Sequence, residues 1–278
     1  MTAVFLGLLA ATFYGAADFC GGLASKRASM ISVTFGAQLT GLVLIAGAIW
    51  VFPGRPTPGD LLWGLAAGVC GGAGIGLLYH ALSIGKMGVV SPVTAVIAAL
   101  FPVAVGFARG ERPGLWQCVG FAVALLAVVL ISYSREETGE REISTAGVKE
   151  AIAAGVVIGG FLLFLSFAHK SAGMWPLAAA RVGAVALLAA LGLATGTSLR
   201  APNAVLRLVV LAGAIDMFAN VLYVLAVHSG YLAVAVVLTS LYPASTVFLA
   251  RIVLKERLQV QQKVGVALAL AGVALIAS

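Results

Sequence analysis

Apolar runs follow one another along the whole chain, at about 3–24, 31–52, 61–82, 88–107, 115–133, 148–168, 174–195, 205–226, 231–252 and 261–277. Only short polar breaks such as SKRAS, PGRPTPGD and RGERP divide them. About 20 apolar residues carry a helix across the hydrocarbon of a bilayer. The pattern therefore predicts an all-α integral membrane protein of ten transmembrane helices. Composition excludes the soluble alternative, since 62% of the residues are apolar and 10% are charged, too few charges to keep a chain of this size in water. The net charge of +7 then reads as cationic loops that set orientation, and nucleic acid is not an expected partner. The first run has no basic residue before it and carries Asp18 with Lys26 and Arg27 behind it, so it is expected to be retained as a span and not removed as a secretory signal. Cys20, Cys70 and Cys118 all lie in apolar runs without metal-ligand spacing. They read as packing residues, with no metal or cofactor implied.

The chain echoes itself. LKERLQVQQKVG at Leu254 to Gly265 matches RGERPGLWQCVG at Arg109 to Gly120, 145 positions earlier, at five of twelve residues. Upstream, LYHALSIG at Leu78 faces LYVLAVHSG at Leu222, and Leu-Phe-Pro at 100–102 faces Leu-Tyr-Pro at 241–243. The one long polar break, SREETGEREIST at 134–145, parts two nearly equal halves. We read residues 1–133 as a first five-helix repeat, 134–145 as a hydrophilic link and 146–278 as a second five-helix repeat. An odd number of crossings delivers the second unit upside down, so the repeats are expected to be inverted, with a binding cavity at the midplane where they meet.

With these motifs the chain resembles the EamA-type branch of the drug/metabolite transporter superfamily, whose members have ten helices. The resemblance covers the whole length and rests on the Leu-Lys-Glu-Arg-Leu pattern at 254–258, its weaker copy at 109–112, the Leu-aromatic-Pro triplets and Arg181 early in the seventh run. It implies an exporter of small metabolites, amino acids and some drugs among them. The first half departs from the family pattern in two places, with Gly-Glu-Arg-Pro at 110–113 and with Gln38 where Arg181 has its repeat mate.

Orientation follows from the loops. Those after odd-numbered runs hold twelve cations (Lys26, Arg27, Lys86, Arg135, Arg141, Lys149, Arg200, Arg207, Arg251, Lys255, Arg257 and Lys263), against Arg55, Arg109, Arg112 and Lys170 on the other face. The positive-inside tendency makes the first face cytoplasmic and puts both termini in the periplasm. Trp50, Trp63, Trp116 and Trp175 all lie beside the opposite loops, as an interfacial belt would.

Candidate functional residues are the polar groups that the spans carry inward. An ionised side chain at the bilayer centre costs about 3 kcal/mol even on lenient scales, and there are three of them, Asp18, Arg181 and Asp216. Asp216, Asn220 and Tyr223 share one helical face, as do Tyr14 and Asp18. Arg181 either snorkels to the surface or reaches the centre. Asp216 either pairs with Arg181 as scaffolding or touches substrate. Asp18 is a candidate proton-coupling residue or a wet vestibule group, and His80 a packed histidine or a relay. Tyr79 and Tyr223 read as core, belt or cavity wall, and so do Phe101 and Tyr242. Pro102 and Pro243, taken as repeat mates, suggest a paired kink or gate. Gly64, Gly68, Gly72 and Gly76 form a four-residue ridge that suits close helix packing. The Glu-Arg pairs at 111–112 and 256–257 are expected to be helix caps and inter-helix anchors. Together these residues suggest export of a small polar or amphipathic metabolite, with protons as candidate coupling ion. An amino acid would present its ammonium to Asp18 or Asp216 and its carboxylate to Arg181. A drug or quaternary-ammonium exporter would use acids and aromatics alone. A lipid-modifying enzyme lacks a recognisable nucleophile or metal set.

Overall fold

The computed structural model describes residues 2–108, 114–132, 146–229, 239, 241–256 and 258–276. Within them run ten α-helices: α1 (Thr2–Ser25), α2 (Met30–Val51), α3 (Pro58–Ile84), α4 (Met87–Ala108), α5 (Leu115–Ser132), α6 (Val148–Leu165), α7 (Trp175–Thr195), α8 (Asn203–Ser229), α9 (Tyr242–Val253) and α10 (Val260–Ile276). A short 3-10 turn, Lys170–Ala172, precedes α7. No strand occurs among the described residues. Among the described residues six segments are long and apolar enough to cross a membrane: Phe5–Ser25 of α1, all of α2, α3, α6 and α7, and Asn203–Tyr223 of α8. The link at 134–145 and the first part of the ninth run lie outside the described residues. All four tryptophans are exposed on the surface of the bundle.

Most of the packing joins the two halves. Helix α1 lies on α8 and α9, α6 lies on α3 and α4, α2 packs on both α7 and α8, α3 on α7, α4 on α9, and α5 on α10. Lipid tails are as apolar as the side chains, so contact in a membrane comes from close fit, and small residues supply it. A Cβ on Gly68 of α3 would fall 1.9 Å from the Ala180 carbonyl oxygen of α7, and one on Gly213 of α8 would fall 2.3 Å from that of Ala37 on α2. Likewise Gly15 of α1 abuts the Tyr242 carbonyl and the Ser245 side chain, while Gly159 of α6 abuts the Ala98 carbonyl and Phe101. Each of these two contacts thus recurs 143 to 145 positions away with the roles of the halves exchanged.

This register corrects two expectations. Phe101 matches Ser245 and Ala98 matches Tyr242, so the Leu-Phe-Pro and Leu-Tyr-Pro triplets are out of step by three positions. Pro102 and Pro243 are therefore not mates. The helix α4 runs through position 102, whereas Pro243 stands in the first turn of α9, where a missing N–H breaks no helical bond. The glycine ridge of α3 also differs in part. Gly64, Gly68 and Gly72 press on α7, but a Cβ on Gly76 would find only Thr34 Oγ1 of α2 at 3.7 Å. The neighbouring Gly71 and Gly74 meet Phe161 and Ile158 of α6, so α3 is wedged between two helices of the other half.

The Leu-Lys-Glu-Arg-Leu motif is a joint. Leu254 caps α9, Lys255 takes the left-handed conformation at φ 56°, and the Glu256 N–H returns to the Ala250 carbonyl. The chain thus leaves the helix through a left-handed residue, with lysine where glycine is usual. The turn aims Glu256 at the start of α4, where the Met87 N–H donates to Oε1 and the Gly88 N–H to Oε2, each at 3.1 Å. Unpaired N–H groups and the helix dipole favour an anion there. Leu258 then packs on Gly88. Arg257, Glu111 and Arg112 lie outside the described residues. A second joint ties α3 to the loop before α7. Asp60 closes a capping box with Thr57, and its Oδ1 also accepts the His169 backbone N–H at 2.7 Å and lies 2.9 Å from His169 Nδ1.

The glycine contacts make a graded prediction. Gly68→Leu should prevent folding, because the obstructing atom is backbone and cannot move aside, and monodisperse protein recovered in detergent should fall about tenfold. Gly76→Ala should be recovered like the parent. Equal recovery of the two variants would show that the ridge does not hold α3 to α7.

Candidate functional site

The two close approaches just described decide what meets at the centre. Gln38 follows Ala37 on α2, and Arg181 follows Ala180 on α7, so the tight contacts at Ala37 and Ala180 bring both side chains to the crossing of α2 and α7. There the Arg181 Nη1 donates to Gln38 Oε1, and Nη2 donates to Asp216 Oδ2 of α8 at 2.5 Å. Asn220, one turn on along α8, donates to the Asp216 carbonyl at 2.8 Å and to Oδ2 at 3.3 Å. Gly41 leaves the bay that the guanidinium fills, since a Cβ there would lie 3.3 Å from Arg181 Cζ and Nε. Arg181 Nε is buried with no acceptor among the described residues.

Arg181 therefore reaches the centre and does not snorkel. Its side chain is 8% exposed and that of Asp216 20%, so the cation is the deeper partner and the carboxylate the one that faces open space. A charge-assisted bond in a medium of low dielectric is strong, and either ion alone would be costly.

Around this pair the structure gathers most of the residues expected from the sequence. Tyr14 of α1 lies within the fields of Asp216, Tyr223, Arg181 and Asp18, and Tyr79 of α3 within those of Asp18, Asp216 and Arg181. The Tyr79 ring rests on the backbone of Gly21, where a Cβ would overlap it at 2.0 Å. Tyr242, at the start of α9, lies within the field of Asp18. Asp18 is buried at 8% exposure and lies within the field of Asp216. It has no hydrogen bond and no cation partner among the described residues. His80 stands apart. It is half-buried, and its ring makes no hydrogen bond among the described residues. The backbone of Pro102 belongs to α4, but its side chain is not described; Pro243 is buried at the foot of α9.

Sequence reasoning passed over Gln38 as a site residue, treating it only as the departure from a second arginine. The signal was there, because an uncharged polar residue in mid-run at the repeat position of Arg181 needs a partner, and the partner is Arg181. Gly41 carried no signal of its own, since it matters only through the neighbour that fills its place.

Ten packed apolar helices with an ion pair and tyrosines buried between two halves define a multi-pass membrane protein with a polar centre. The model of the EamA-like transporter family matches residues 1–133 and again 145–278, and the chain belongs to that family. A crystal structure of a protein aligns over 98% of this chain and 95% of its own at a TM-score of 0.62 and 17% identity, a likeness that concerns the fold alone. Among curated proteins none matches the sequence significantly.

The unequal burial of the pair yields a test. Asp216→Asn leaves the deeper charge without its counter-ion and should destabilise the protein by about 3 kcal/mol, with Arg181→Gln costing less, since the carboxylate left behind is the more exposed. The double variant should recover most of the loss. Thermal unfolding in detergent reads all three, and additive losses would mean that the two charges do not act as a pair.

Proposed function

We propose that this protein is a secondary transporter that exports a small metabolite, an amino acid or a related amphipathic compound, across the cytoplasmic membrane by alternating access. Membership of the EamA-like family supports transport. The polar centre supports the rest, because a buried ion pair with unsatisfied neighbours inside a bilayer is retained at a cost and marks a substrate path. The observation that carries this reading is the placement of that centre. The network of Gln38, Arg181, Asp216 and Asn220 spans both halves of the chain, where relative motion of the halves would open it to one face and then the other. Two inverted repeats of five helices, 1–133 and 146–278, account for contacts that recur with the halves exchanged and for a family model that matches twice. Nothing in the arrangement calls for catalysis.

Purified protein in liposomes should release a metabolite taken from the cytoplasmic pool several-fold faster than protein-free liposomes do. The metabolite is found by comparing what cells retain with and without the protein. Liposomes that hold every candidate as tightly as the controls would end the transport reading.

The excess of cations on one side supports periplasmic termini. A reporter fused after Ser278 should be active only in the periplasm, and the link at 134–145 should be shielded from outside reagents in intact cells. A reporter active in the cytoplasm would reverse the orientation and leave the fold intact.

A further inference from the structure

The crossing of α2 and α7 that carries Gln38 and Arg181 has an outer flank as well as an inner one. Along that flank runs a groove of about 290 Å³ between the two helices, with Trp175 at one end. Ala46 of α2 and Ala178 and Ala179 of α7 give it width, and every residue that lines it is apolar. Ile45 forms its floor, fully buried in a core cluster with Leu177 and Met217, while the exposed Ala46 leaves it open at the side. An apolar hollow of this kind does not hold water, and in a bilayer hydrocarbon fills it. From Leu42 to Ile49 it follows about 10 Å of helix, most of the roughly 15 Å that one leaflet of the hydrocarbon core supplies. That length suits one acyl chain.

Charge at its mouth sets this groove apart from ordinary lipid-facing surface. Helix α2 ends at Val51, α3 begins at Pro58 and α7 at Trp175, so the loops 52–57 and 166–174 both lie at the Trp175 end. They touch each other. The Arg55 N–H donates to the Ser171 carbonyl at 2.9 Å, and a Cβ on Gly54 would fall 2.3 Å from the Ala172 carbonyl oxygen. Arg55 is exposed, and Lys170 is the residue before Ser171. Two cationic positions far apart in the chain are thereby brought to one spot. Asp60 offers them no exposed carboxylate, since it is buried and accepts from the Thr57 N–H, the Thr57 hydroxyl and the His169 N–H.

We propose that this flank binds one anionic phospholipid of the phosphatidylglycerol type, with an acyl chain in the groove and the phosphate at Arg55 and Lys170. Basic residues at the membrane surface attract anionic headgroups, and Trp175 stands at the level where an indole ring favours the interface. The chain gains close contact along the alanines, which is what stabilises association in a membrane. Seated there, it braces α2 against α7 from behind the Gln38–Arg181 bond. The site is independent of what the polar centre carries.

Native mass spectrometry of the purified full-length protein in detergent, offered dioleoylphosphatidylglycerol and dioleoylphosphatidylcholine in equal amounts, counts the lipids retained. A single phosphatidylglycerol should stay bound per chain, preferred about tenfold over phosphatidylcholine. Arg55→Gln combined with Lys170→Gln should abolish that preference. Ala46→Phe, whose ring fills the groove from its open side, should lower binding of the lipid about tenfold, whereas Leu211→Phe on an exposed face of α8 should bind like the parent. Equal retention of the two lipids by the parent, or parental binding in either the groove variant or the cation variant, overturns the proposal. Displacement of the lipid by glycerol 3-phosphate overturns it too, because the site would then be one for phosphate without a chain. Should Ala46→Phe fail to fold, the cation variant decides alone, since it alters loop positions outside the helices' contacts.

Discussion

Backbone touching backbone is the constraint on which the structure turns. In a bilayer no hydrophobic force drives one apolar helix against another, and stability comes from how closely the surfaces fit. Gly68 against Ala180 and Gly213 against Ala37 bring α3 to α7 and α8 to α2 at distances that any larger residue would forbid. Because the residues next in line are Arg181 and Gln38, the same two contacts that assemble the halves also deliver the polar centre. Packing and the polar centre are coupled through adjacent positions in the chain.

That coupling explains why an expensive group survives there. A buried guanidinium is tolerated when its N–H groups are answered, and here two helices answer, α2 with Gln38 and α8 with Asp216, while Gly41 of α2 leaves room for the group. The near-symmetry of the halves stops at this spot. One half supplies an uncharged amide and glycines, while the other supplies the arginine, the acid and Asn220. A centre built from the two halves has become polar in one direction.

Much of this was legible in the sequence, for stated reasons. The membrane class follows from run length, and the candidate cluster from the cost of charge in lipid, which leaves few polar residues inside the spans to choose among. Arg181, Asp216 and Asn220 do meet, and Tyr14, Asp18, Tyr79 and Tyr223 lie within the fields of this group. Three things were not legible. The triplets at 100–102 and 241–243 resemble each other in residues but differ in register, because a helix contact is fixed by the small residue opposite, Gly15 or Gly159, and not by the proline nearby. Gly76 continues a spacing without continuing the contact, since α3 and α7 diverge before reaching it. The choice between a snorkelling and a central Arg181 depended on Gly41, whose role is to be absent.

The two acidic joints bear on how such a molecule can move. Glu256, from the second half, holds the first turn of α4 in the first half, and Asp60, from the first half, holds His169 in the second. If these joints persist while the centre opens, the rigid bodies of the cycle cannot be the two halves of the sequence. The start of α4 must travel with the turn after α9, and the start of α3 with the loop before α7. The mechanical parts of the protein then cut across the line along which its sequence divides.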